Sequence, residues 1–112
     1  MPYYLVQASY TPQALAALTK QAEDREQGFR GLVERLGGRL HTFFWAQGEF
    51  DLVVTVELPD AETANALALA AISPGHARAY RTTPLFTNEE TMRAMRKAGG
   101  AAYRAPGEPT SP

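Results

Sequence analysis

Residues 39 to 47, RLHTFFWAQ, alternate along an extended chain so that Leu40, Thr42, Phe44 and Ala46 share one side and His41, Phe43 and Trp45 the other. Both sides carry large apolar groups, so the segment has to be covered twice, and a chain of 112 residues has few elements with which to do that. The following run, residues 50 to 58, FDLVVTVEL, separates more cleanly. Phe50, Leu52, Val54, Val56 and Leu58 form an apolar side, and Asp51, Val53, Thr55 and Glu57 a mixed one. Gly48 and Glu49 between the two runs predict a tight β-hairpin.

Around this hairpin the remaining segments fall into place. Residues 3 to 10, YYLVQASY, predict a first strand ending at Thr11 and Pro12, a helix cap followed by the ring best suited to a first helical position. Leu15, Leu18, Ala22, Phe29, Leu32, Val33 and Leu36 then recur at helical spacing up to Gly37 and Gly38. Arg25 interrupts that stripe, and Gly28 and Gly31 weaken its middle, so the helix divides into a short and a main piece. After Pro59, Asp60 caps a helix whose Leu67, Ala70 and Ala71 form its apolar face. A last strand, HARAYRTTPLF, leads to a short helix capped by Thr87 or Asn88. The order β, α, β, β, α, β plus a terminal helix predicts an α+β, ferredoxin-like βαββαβ antiparallel sheet with its helices on one face. The domain is expected over residues 1 to 98, and residues 99 to 112, rich in Gly and Pro, are read as a flexible tail.

Helices on one side leave the other side of the sheet to water, and an exposed aromatic patch of that kind marks an interface. A homodimer formed face to face through the sheets is the economical solution, and it encloses space suited to a ligand. The alternative is a monomer whose terminal helix folds across the open face. Composition narrows the partners. Eleven Lys and Arg against twelve Asp and Glu leave a net charge of −1, without the basic surplus that drives nucleic-acid binding. No cysteine is present, which excludes thiolate chemistry and disulfides. The start, MPYYLVQASY, does not read as a signal peptide, no apolar run approaches a membrane span, and a cytoplasmic location is expected.

The run LGGRL at 36 to 40, the aromatic strand with Trp45, the turn GEFD at 48 to 51 and the RTT triplet at 81 to 83, taken in order, resemble the GYD domain family of small bacterial proteins. The resemblance covers about residues 3 to 90. Phe50 stands where the family has its tyrosine, keeping the ring without the hydroxyl, and Pro84 points to an edge strand. It implies a dimeric α/β barrel of ferredoxin-like protomers. A similar turn occurs in the effector-binding domains of feast/famine regulators, although this chain leaves no room for a helix-turn-helix before its first strand. The same fold includes small cofactor-free monooxygenases.

The chemistry-bearing candidates gather near the hairpin. His41, beside Phe43 and Trp45 by alternation, is the candidate general base or polar anchor. Trp45 offers a ring for stacking or for an interface. Asp51 either accepts backbone amides to hold the turn or receives a ligand amine. Arg25, on the helix stripe, and Arg81, in the last strand, offer partners for an anionic ligand or for an acid such as Asp51 or Glu57. Tyr3, Tyr4, Tyr10 and Tyr80 supply hydroxyls at strand positions. No metal site is expected, since His41, His76 and Asp51 or Glu49 lack ligand spacing, and no cofactor is expected either. With no nucleophile elbow and no phosphate loop, hydrolases and NTPases of the usual kinds are disfavoured. The expectation is a homodimeric small-molecule-binding or regulatory module. A cofactor-free monooxygenase or isomerase is the alternative, and a purely structural assembly protein, with no enclosed cavity, a third possibility.

Overall fold

The computed structural model describes residues 1–108; the end of the expected tail, residues 109 to 112, lies outside the described residues. The elements follow the order β1 (Tyr3–Tyr10), α1 (Pro12–Lys20), α2 (Arg25–Arg35), β2 (Arg39–Trp45), β3 (Leu52–Glu57), α3 (Ala61–Ile72), β4 (Ala77–Leu85) and α4 (Asn88–Gly99). The four strands form one antiparallel sheet in the order β2-β3-β1-β4. The edge position of β4 accommodates Pro84, which has no amide hydrogen to give a further strand.

The long apolar stripe is two helices, as the break at Arg25 implies. Each start is capped by a side chain: Thr11 accepts from the Ala14 amide and Asp24 from the Gln27 amide. At the end of α2 the amide of Gly37 donates to Glu34 O and that of Gly38 to Val33 O, a Schellman closure that needs the positive φ of 83° at Gly37. Gly38 is required for a different reason. A Cβ there would lie 2.5 Å from Glu57 O and 2.7 Å from Leu58 Cδ2, so the chain can turn into β2 only where no side chain stands.

The core lies between the sheet and helices α2 and α3. Tyr4 and Val6 of β1, Leu40 of β2 and Val54 and Val56 of β3 meet Val33, Leu58, Ala64 and Leu67 there. The expected apolar side of residues 50 to 58 is confirmed at Leu52, Val54, Val56 and Leu58 but not at Phe50. That ring is buried apart from the core cluster and lies under the guanidinium of Arg81.

Two features of the hairpin differ from expectation. The strands are joined through residues 46 to 51 instead of a two-residue turn, with the Ala46 amide bonded to Asp51 O. In β2 the register shifts between Leu40, opposite Val56, and Thr42, opposite Thr55. This β-bulge inverts the alternation downstream. Leu40, Phe43 and Trp45 therefore face the helices with Val56, Val54 and Leu52, whereas Thr42 and Phe44 face the open side with Thr55 and Val53. His41 also turns to the open side, toward Glu57 and Tyr3, so the placing of His41 on one face with Phe43 and Trp45 is corrected.

Helix α4 does not cover the open face. It starts with a capping box between Thr87 and Glu90, buries none of its residues, and leaves Phe86, Met92 and Met95 exposed. The chain consequently measures 69 × 30 × 22 Å.

Candidate functional site

The clearest concavity forms where the elements bring small residues together. Ala8 of β1, Gly28 of α2, Ala70 and Ala71 of α3 and Ala77 of β4 leave volume that larger side chains would fill, and a cavity of ≈ 290 Å³ results between the sheet and the helices. Its body is apolar and ringed by Phe29, Phe43, Leu32, Leu52, Val54 and Tyr80. The bulge in β2 matters here, because it is what turns Phe43 toward this space, where its ring meets Phe29 at 6.3 Å.

Polar groups enter from a few positions. Arg25 at the start of α2 donates from Nε to the Tyr10 hydroxyl at 3.2 Å and from Nη1 to Glu23 at 2.6 Å. These bonds, that to Tyr10 first, raise its pKa and hold its charge. Arg35 lines the same cavity from the last turn of α2. On the sheet side the Tyr80 hydroxyl is buried with no hydrogen-bond partner. Burial pushes its phenol well above the usual tyrosine range, so the group stays neutral and able to donate. An orphan hydroxyl at a cavity wall is a group that a ligand or water can satisfy. Beyond Tyr10, Arg25 and His76 lies a second hollow of ≈ 190 Å³ reaching under α1, with the Tyr10 and His76 rings 5.7 Å apart.

Four other residues singled out from the sequence lie elsewhere. His41 donates from Nε2 to Glu57 Oε1 at 2.6 Å on the open face, its ring 5.5 Å from that of Tyr3. Arg81 sits on that face too, 5.3 Å above the Phe50 ring, but β3 and β1 intervene between its strand and that of His41. Trp45 ends β2 on the helix side, 5.8 Å from the Tyr10 ring and 6.5 Å from that of Phe43, and is 52% exposed. Asp51 accepts the Tyr10 amide at 2.9 Å through Oδ2 and gives its own amide to Ala8 O, tying the hairpin to β1. None of the four lines the cavity. Among the described residues no group of three or more His, Asp or Glu side chains is placed to hold a metal ion.

A four-stranded antiparallel sheet with helices α2 and α3 on one side and a cavity beneath them defines a small α+β module. The chain belongs to the GYD domain family, whose model matches residues 4–95. Among solved structures, it is similar in fold to the crystal structure of MtbAldR, with a TM-score of 0.56 and 13% sequence identity over 78% of this chain. The match spans 54% of the MtbAldR chain. No curated protein matches the sequence. Among the described residues no helix is long and apolar enough to cross a membrane.

Proposed function

We propose that the chain is a ferredoxin-like protomer that pairs with a second copy through its open sheet face, as a dimeric α/β barrel, and acts as a small-molecule-binding or regulatory module. The observation that carries the binding reading is the ≈ 290 Å³ cavity, apolar in its body and polar at a few points, the usual anatomy of a small-ligand site. A purely structural assembly protein has no use for such a space. Dimerisation is supported by the open face, where Phe44 is 63% exposed and, among the described residues, no helix covers Leu5, Val53 and Leu85.

Two measurements test the reading. The neutral naphthalene dye prodan should bind saturably with a blue-shifted emission, and Ala71→Phe, which fills the cavity, should abolish this while the far-UV circular dichroism stays unchanged. Binding that survives Ala71→Phe, or its absence in the parent protein, refutes the cavity as the site. Light scattering at micromolar concentration should give the mass of a dimer; a monomer overturns the pairing and leaves the cavity untouched.

One observation favours a second reading, an enzyme of the cofactor-free monooxygenase or isomerase type. Glu57 orients the His41 imidazole as a carboxylate orients a general base, and Tyr3 stands beside it. On a substrate that the protein turns over, unchanged rates in His41→Ala would remove that role.

A further inference from the structure

Helix α2 carries Gly28 and Gly31 in its interior, at a cost to helix stability that tighter packing against the sheet does not recover, since Gly31 has no neighbour but an arginine. What the glycines make room for is specific. A Cβ on Gly28 would meet Nη1 of Arg25 at 3.4 Å, and a Cβ on Gly31 would meet Nη1 of Arg35 at 3.3 Å. Arg25 reaches forward along the helix and Arg35 reaches back, each laid over a bare glycine. Positions three apart share a helix face, with Cβ sites about 5–6 Å from each other. The two guanidiniums thus converge on neighbouring patches of α2, and both line the cavity.

Only one of the two charges is matched locally. Glu23 pairs with Arg25, and Glu26 is engaged by Arg30. Among the described residues Arg35 makes no ion pair and no side-chain hydrogen bond. A pair of guanidiniums on one cavity wall with a single acid paired to them is a receptor for a further anion, and the planar fork of arginine suits a carboxylate in particular.

We propose that the ligand of this cavity is an organic acid with a flat apolar body, its carboxylate held by Arg35 and Arg25 at α2 and its body among Phe29, Phe43 and Tyr80. The assignment rests on the cavity reading above and names the class of molecule that the cavity takes. The Tyr80 hydroxyl, orphaned in the cavity wall, offers a donor to a polar substituent on that body.

The probes are 2-naphthoate and its neutral isostere 2-naphthamide, titrated calorimetrically into the purified protein at low ionic strength. The acid should bind about ten- to a hundredfold more tightly than the amide, the range set by a hydrogen-bonded charge pair. Arg35→Gln should reduce that preference by about tenfold, with Arg35→Lys restoring part of it and Arg25→Gln acting in the same direction. Arg35 is exposed, so its variants keep the core intact. Equal binding of acid and amide overturns the acid class and leaves the cavity as a site for neutral molecules. A preference that persists in both glutamine variants overturns the assignment to these arginines. If neither probe binds while prodan does, the inference falls and the cavity reading stands; if prodan fails as well, both fall.

Discussion

Replacing Asp51 by Ala separates a structural from a ligand-binding role for the acid of the turn. Tyr10 is the last residue of β1, and two things leave its amide without a ladder partner. The pairing with β3 ends at Ala8 opposite Leu52, and the register with β4 shifts between Ser9 and Tyr10. Asp51 Oδ2 takes up that amide at 2.9 Å, in a residue that is only 9% exposed. Removing the carboxylate strands a shielded backbone donor, which costs about 1–3 kcal/mol. For a domain of this size that is a drop in Tm of about 4–8 °C for each kcal/mol. Asp51→Asn keeps a carbonyl oxygen in place but gives up the charge, so its loss should be about half as large. The assay is urea unfolding at fixed protein concentration, followed by the emission of the single tryptophan, Trp45, whose ring lies 5.8 Å from that of Tyr10. The midpoint should fall for both variants in the stated order with the slope unchanged. An Asp51→Ala protein as stable as the parent would refute the hydrogen-bond reasoning and return Asp51 to the ligand-binding candidates.

Gly38→Ala should lower stability by about 1–3 kcal/mol, since its methyl would press on Glu57 O and Leu58 in a site where the obstacle at 2.5 Å is backbone; a thermal melt checks this, and an unchanged Tm would show that the α2–β2 turn has slack. In α4, the hydrogen bonds of the capping box, that to the Thr87 amide first, hold the Glu90 pKa below its ordinary value. A depressed folded pKa contributes stability that is present above the ordinary glutamate value and lost as pH falls through the depressed one. Helical ellipticity should therefore decline on acidification below the usual glutamate range, and Glu90→Gln, which removes the titrating group while Thr87 keeps its amide, should lose that pH-dependent part, with little change in the unfolding of the core.

Element order and helix boundaries were legible because their signals are local. Arg25 and the paired glycines at 37 and 38 mark where the apolar stripe divides and where α2 stops, and the glycines answer a backbone requirement. The hairpin was misjudged for the opposite reason. Gly48 and Glu49 look like a two-residue turn, yet Asp51 is committed to the end of β1 and Phe50 to a place under Arg81, both partners distant in sequence. Alternation also misplaced His41, because a bulge leaves no mark of its own in the residue pattern. The cavity was hidden for a similar reason. It consists of volume missing from Ala8, Gly28, Ala70, Ala71 and Ala77, and no single stretch of chain shows that these small residues meet. Only the glycines of α2 gave a local hint, since a helix interior that tolerates them has something other than helix propensity to satisfy.

The bulge at His41 also decides which rings the aromatic strand sends to each side. His41 is the extra residue of β2, so Leu40 and Thr42 stand on the successive partners Val56 and Thr55. Deleting His41 would remove the bulge and leave every side chain from Thr42 to Trp45 on its present side. Ironing the bulge out at the present length would do the opposite: because strands have a period of two, Phe43 and Trp45 would leave the ligand space for the outer surface, and Phe44 would enter from it. In this fold one supernumerary residue acts as an address label, assigning each ring of β2 to the cavity or to the surface proposed for pairing.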